Sequence, residues 1–298
     1  MVEKILIISG ATASGKSGLA MNLSAEKDVA IINADSLQIY EGLPILSSQP
    51  TKDEQKKVPH FLYSHFKAQE TSSVGLWLKL VKSKVEEVLK LKKLPVIVGG
   101  SGMYISKLVD GISEIPEINE EIRNNARELY EEIGHVEFQK KLVDLGENEI
   151  LDKQRLTRAY EVLQQTGKPL SWWQHQPLKK IFENVEFLHV NLELERKKLY
   201  ENCNSRFEKM LELGAFEEVK NLVNQGISDD KQITKTLGFL EIREFLNERM
   251  NHQKMVEIVT QKTRNYAKRQ LTWFRHQLPQ KHVFSDPISA LNFLKNEI

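Results

Sequence analysis

Four short apolar runs, separated by longer amphipathic stretches, set the rhythm of the first two-thirds of the chain. KILIIS, VAIINA, LPVIVGG and VEFLHVNL (residues 185–192) are rich in Ile, Val and Leu, and the first three stop at polar residues or glycine. Apolar runs this short, with few polar interruptions, predict strands buried on both faces, as in a parallel sheet. SGKSGLAMNLSAE follows the first run and reads as a helix. From Val74 to Lys92, Val74, Leu78, Val81, Val85, Val88 and Leu91 recur at helical spacing. Strand alternating with helix predicts an α/β core with helices on both faces of the sheet.

The pattern changes after Gly111. From Ile112 to about Gln176 no strand pattern is found. The segment is charged and helix-favouring, clearest in EEIRNNARELYEEIG and RLTRAYEVLQQTG, with Pro116 and Pro177 near its ends. The simplest organisation is a core made of residues 1–111 and 185–298, interrupted by an all-helical insertion at 112–184. From Leu194 onward the chain reads as helical, with turns at Gly214, Gly226 and Gly238.

Composition narrows the picture only a little. A chain of 298 residues, 40% hydrophobic, can build a sizeable core, and a net charge of +1 leaves any nucleic-acid surface to local segregation of charge. Cys203 is the single cysteine, so no internal disulfide and no thiolate zinc cluster can form. It sits in a helical pattern and reads as structural. The first strand begins almost at Met1, and no apolar run approaches the roughly 18 residues of a membrane span. A soluble cytoplasmic protein is expected.

Chemistry enters between the first strand and the first helix. Gly10-Ala11-Thr12-Ala13-Ser14-Gly15-Lys16-Ser17 fits G-x-x-x-x-G-K-[ST] at every fixed position. Glycines let successive N–H groups point into one concavity, and the helix N-terminus adds partial positive charge. Lys16 can reach terminal phosphates, and the Ser17 hydroxyl can ligate Mg²⁺. The segment therefore predicts a bound polyphosphate.

Asp35 follows VAIINA, at the carboxyl end of a predicted parallel strand, where open α/β sheets bind ligands. A carboxylate there suits a Mg²⁺ ligand or a general base, and equally a helix cap or turn. Ser36, Leu37 and Gln38 continue past it. Gly99-Gly100-Ser101-Gly102 makes a second glycine turn, which serves packing as readily as chemistry. Proteins that hydrolyse nucleoside triphosphates hold Mg²⁺ with an acid ending a later strand. LPVIVGG ends in glycine instead, which points to a polyphosphate that is not a hydrolysed nucleotide.

Between Glu257 and Asp286 the chain has no acidic residue, while Lys262, Arg264, Lys268, Arg269, Arg275 and Lys281 alternate with Tyr266, Trp273 and Phe274. On a helical wheel Arg264, Lys268 and Arg275 lie opposite Val259, Tyr266 and Trp273. Such a helix suits a nucleic-acid backbone, or simply packs by its aromatics. Arg123, Arg127, Arg155 and Arg158 fall on the insertion helices among acids, as on an ordinary salt-bridged surface. Trp172 and Trp173 read as packing residues, and Arg206 as a lone helical arginine.

Taken together, GATASGKS, NADSLQIY, VIVGGSGMYI, LDKQRLTRAYEVLQQTGKPLS, RFEKMLELGAFEEV and TRNYAKRQLTWFR closely resemble the bacterial tRNA dimethylallyltransferase (isopentenyltransferase) family, in the family's order and over nearly the whole chain. Ala11 replaces the family's proline, Ser101 and Met103 stand where it has threonine and leucine, and KTLGFLEI departs slightly from its usual core. The resemblance implies a P-loop NTPase-like parallel sheet with a helical insertion and a helical C-terminal region. It implies transfer of a dimethylallyl group from dimethylallyl diphosphate to N6 of the adenine 3′-adjacent to the anticodon, in tRNAs reading codons that start with U. By the same resemblance residues 10–17 hold the diphosphate with Mg²⁺ on Ser17. Lys16 and Arg206 steady the leaving group, Asp35 takes the N6 proton, and Ser101 bonds near that amine. Asp35, Ser36, Leu37 and Gln38 line the entry for the base, and Gln38 can offer an amide to its edge. Arg123, Gln154, Arg155, Leu156, Thr157 and Arg158 meet the anticodon stem-loop, and Arg264, Lys268 and Arg269 its backbone. A monomer suffices for this chemistry. Two competing readings are a small-molecule or nucleoside kinase and a nucleotide-switched RNA-binding module.

Overall fold

A computed structural model describes residues 3–148, 150, 152–278 and 281–298. In chain order the elements are β1 (Glu3–Gly10), α1 (Lys16–Ser24), β2 (Val29–Asn33), α2 (Lys52–Lys57), β3 (His60–Phe61), α3 (Val74–Lys90), β4 (Leu94–Gly99), α4 (Gly102–Asp110), α5 (Glu120–Asp144), α6 (Lys153–Thr166), α7 (Leu170–Gln174), β5 (Val185–Leu192), α8 (Arg196–Glu212), α9 (Ala215–Asn224), a 3₁₀ turn (Gln232–Lys235), α10 (Phe239–Leu246), α11 (His252–Gln277), β6 (His282–Phe284) and α12 (Pro287–Glu297). They form two compact units, one of Met1–Val109 with Ile181–Ile298 and one of Asp110–Lys180.

The first unit holds a six-stranded sheet of order β3-β2-β4-β1-β5-β6, parallel throughout. Alternate residues of its central strands point to opposite faces. On one face Leu6, Ile8, Val96, Val98, Val190 and Leu192 pack with Leu19 and Leu23 of α1 and Leu294 of α12. The four apolar runs are β1, β2, β4 and β5, as expected. β3 and β6 are additional, and the region after Leu194 is therefore not wholly helical. Both are short, with half-buried or exposed side chains, so backbone pairing places them at the sheet edges rather than any apolar run.

α3 starts where the Ser73 hydroxyl accepts the Leu76 N–H, and it buries Trp77, Leu78, Val81, Val85 and Val88. Leu91 lies past its end and is exposed. Register matters most for function. Ser9 pairs with Gly99, Gly10 with Leu192 and Asn33 with Val98, so β1, β2, β4 and β5 end on one edge. The turns that follow β1, β2 and β4 are the three stretches singled out in the sequence.

The second unit is helical, with an isolated bridge from Ile112 to Lys179 that ties its two ends. Phe138, Leu142, Leu156 and Ala159 form its core, and Gly134 (φ 73°) breaks α5 in two. Leu156 is fully buried there, and Thr157 is buried with its hydroxyl donating to the Lys153 and Gln154 carbonyls. Those two side chains, expected at an RNA surface, are committed to the helix pair because they fall on its inward stripe. Arg155 and Gln154 are exposed, Arg158 pairs with Glu161 at 3.2 Å, and Arg123 is half-buried. Trp172 packs edge to face on Trp173, with ring centroids 5.1 Å apart, but stays 41% exposed with the Lys168 ammonium 5.5 Å from its ring.

Candidate active site

The phosphate loop begins at Gly10, where φ is +147° and a Cβ would lie 2.5 Å from the Leu192 carbonyl, so only glycine fits. Gly15 occupies the N-cap of α1 and supplies no side-chain cap. The first N–H groups of α1 therefore remain for a ligand, together with the positive end of the helix. The Ser14 hydroxyl is buried without a hydrogen-bond partner among the described residues. Lys16 turns back, its ammonium donating to the Ala11 carbonyl at 2.6 Å. Burial pushes Lys16 down to about 8, with Asp35 opposing the shift and Arg206 adding to it.

α8 lies against the loop. Asn202 donates to the Ala13 carbonyl at 3.1 Å, and the Arg206 guanidinium donates to the Thr12 hydroxyl at 2.7 Å. Burial lowers the Arg206 pKa, chiefly countered by Cys203 and Asp35. Arg206 is therefore a half-buried cation aimed at the loop, not an isolated surface arginine.

After β2, Asn33 shapes the turn. Its amide oxygen accepts the Asp35 N–H at 2.8 Å, and its NH₂ donates to the Asp35 and Leu62 carbonyls at 3.0 Å each. Asp35 Oδ1 in turn accepts from the Leu37 N–H at 2.9 Å. That leaves Oδ2 for the pocket. Gln38 donates from its NH₂ to the Ser47 and Ser48 carbonyls, 2.9 Å each. It can therefore show a base edge only its oxygen. Ser101 Oγ accepts the Ser36 N–H at 2.9 Å and lies 3.3 Å from the Ser36 hydroxyl. Its hydroxyl joins the two turns rather than standing free.

Thr12 to Ser17, Asp35, Gln38 and Arg206 line one pocket of about 600 Å³, together with Lys198, Asn202 and Lys209 of α8, Gln270 of α11 and the Gly99–Gly100 turn among others. The sequence reading missed Asn202, Lys198, Lys209 and Gln270. Spacing on α8 (198, 202, 206, 209) carried a signal for three of them once Arg206 was placed. Gln270 carried none. No cluster of three His, Cys, Asp or Glu side chains suited to a metal exists among the described residues. A hydroxyl at Ser17 beside a phosphate site is nonetheless a fitting donor set for Mg²⁺, which commonly takes few protein ligands and completes its shell with phosphate and water.

On α11 the buried face runs through Val259, Thr263, Ala267, Gln270, Leu271 and Phe274. Tyr266 and Trp273 are only half-buried at its margin, so the apolar stripe is rotated from the one read in sequence. Arg275 pairs with Glu193 at 2.6 Å and Lys262 with Glu241, while Arg264 is held by Asn204 and Gln261. Lys268 and Arg269 are exposed, without an ion pair among the described residues, and share a groove with Trp273 and His276.

The fold and this strand edge define an α/β phosphate-loop protein whose pocket pairs that loop with a single strand-end carboxylate. More particularly, the chain belongs to the IPP transferase family, whose model matches residues 38–277. A tRNA dimethylallyltransferase of Pelagibacter ubique is 38% identical over 299 residues, covering 98% of this chain and 95% of that protein. One from Wolbachia pipientis is 40% identical over 289 residues, covering 95% and 96%. The crystal structure of the full-length tRNA isopentenylpyrophosphate transferase from Bacillus halodurans superposes with a TM-score of 0.71 at 26% identity, covering 99% of this chain and 95% of that one.

Proposed function

We propose that this protein transfers a dimethylallyl group from dimethylallyl diphosphate to N6 of the adenine 3′-adjacent to the anticodon. The observation that carries the reading is Asp35 and Arg206 lining the same pocket as the phosphate loop: a base and leaving-group cations face one space. The diphosphate lies on the loop N–H groups, with Lys16 and Arg206 against its oxygens. As the C1–O bond breaks, the electron pair leaves with diphosphate, and those fixed cations stabilise the charge that develops. N6 forms the new bond to C1, and its proton passes to Asp35. Mg²⁺ bound at Ser17 would neutralise diphosphate charge. The adenine leaves its stack to reach Asp35, at a cost of a few kcal/mol. Arg264, Lys268 and Arg269 of α11 hold tRNA backbone. Arg123, Arg155 and Arg158, on the helical unit, contact the anticodon stem-loop. No helix among the described residues is long and apolar enough to cross a membrane. A cytoplasmic monomer is sufficient for the chemistry.

A kinase using the same loop is not favoured: the similar proteins are tRNA-modifying transferases, and the basic helix has no role in it. The test is incorporation of labelled dimethylallyl diphosphate into unmodified tRNA with Mg²⁺. Label that enters RNA, and fails to enter when that adenine is replaced, supports the reading. Absence of label with ATP consumed by a small acceptor overturns it.

A further inference from the structure

Gln270 belongs to the basic helix α11 but points away from its basic side, and it is 7% exposed. Its side-chain amide is used at both ends. The oxygen accepts the Thr12 N–H at 2.8 Å, and the NH₂ donates to the Gly100 carbonyl at 2.8 Å. One amide therefore spans the phosphate loop after β1 and the glycine turn after β4. The two turns are already close, since a Cβ on Gly100 would come within 3.3 Å of the Gly10 carbonyl. The same Cβ would lie 2.4 Å from Gln270 Nε2, so glycine at 100 is what lets the amide dock.

Thr12 is engaged by this arrangement. Its N–H goes to Gln270 and its hydroxyl accepts from Arg206. Thr12 is thus a junction of the loop with α8 and α11, and its hydroxyl keeps its proton for the pocket. On the other side, Gly100 precedes Ser101, whose hydroxyl holds the Ser36 N–H beside Asp35. Gln270 thus sits between the group that holds the leaving diphosphate and the turn that backs the base.

We infer that Gln270 is a positioning residue that sets the distance between the phosphate loop and the Asp35 side of the pocket, and so the alignment of donor carbon with attacking amine. This rests on the prenyl-transfer reading. Displacement of a reacting partner by about 1 Å can cost on the order of 100-fold in rate. Because both ends of the amide are already bonded to backbone of the two turns, its loss is expected to fall on kcat rather than on KM.

Gln270→Met keeps the length and removes both hydrogen bonds. The expected result is a kcat 10- to 100-fold lower (on the order expected for lost alignment), with KM for donor and tRNA within about threefold and the melting temperature near the parent's. Gln270→Glu is the second variant. Its carboxylate still accepts from Thr12 but repels the Gly100 carbonyl, whereas its protonated form donates as the amide does. Burial favours that protonated form. The ratio of variant to parent kcat should therefore rise as pH falls from 8.5 to 6. A purely structural role predicts a ratio that stays flat across that range. A Met variant within twofold of the parent in kcat overturns the inference; should that variant fail to fold, a flat ratio for the Glu variant does so. Parent activity in the same assay separates these outcomes from failure of the prenyl-transfer reading, which would leave parent and variants alike without label in RNA.

Discussion

Asp35 can serve as a base only while its second oxygen faces the pocket, and Asn33 with the Leu37 N–H enforces that orientation. Asp35→Asn keeps an oxygen for the Leu37 N–H and so keeps the turn, but removes the proton acceptor. Transfer should fall by about 10²- to 10⁴-fold, the usual worth of a positioned base, while donor affinity measured by calorimetry stays within a few-fold. Loss of donor affinity with chemistry preserved would contradict the role. Lys16 offers a second test. Burial pushes it down to about 8, so the free site is largely ammonium at pH 7 and largely amine at pH 8.5. An anionic diphosphate favours the ammonium. Donor binding at pH 8.5 should therefore take up most of a proton, and at pH 7 far less. Calorimetry in buffers of different ionisation enthalpy reads this directly, and Lys16→Met should abolish it. Equal uptake at both pH values would place the titrating group elsewhere. Both residues were legible in the sequence because their neighbours are local: a loop running into a helix, and a strand ending in an acid. Gln270 was not, since its partners Thr12 and Gly100 lie 258 and 170 positions away.

At the scale of elements, the four buried strands were legible because their apolar runs need no tertiary context. β3 and β6 have no such run. The limits of sequence show most clearly on α11. The acid-free window exposes its basic character, but which cations remain free is decided by the fold: Glu193 and Glu241 pair with Arg275 and Lys262 from other elements. Lys268 and Arg269 are left exposed and without such partners among the described residues. If they neutralise RNA phosphates, the double variant Lys268→Ala/Arg269→Ala should weaken tRNA binding and reduce the slope of log affinity against log salt by about 1.5. Arg275→Ala, which removes an arginine already paired with Glu193, should change that slope much less. Equal losses from both would assign α11 a general rather than a site-specific charge.

For the molecule as a whole, the same edge that carries the site also carries a polar patch in the sheet. Ser9 Oγ lies 2.7 Å from His189 Nε2 and donates to Asn191 at 2.9 Å, with all three side chains buried where β1 and β5 run together towards the phosphate loop. Burial pulls His189 down to about 4, with Lys281 and His282 adding to the shift. In the folded protein the ring is thus neutral at pH values where the unfolded chain would protonate it. The unfolded state binds the extra proton as pH falls below about 6.5, so stability is present above that value and is lost between about 6.5 and 4. A shift of this size corresponds to roughly 3 kcal/mol at the acid end. Denaturant unfolding of the parent at pH 7 and pH 4.5 should show a loss of that order from this group, beyond whatever the carboxylates contribute. His189→Gln keeps a hydrogen-bonding group beside Ser9 and cannot protonate, so its loss over the same interval should be smaller by a few kcal/mol. An identical pH dependence in the two proteins would mean that the ring is not kept neutral by its burial.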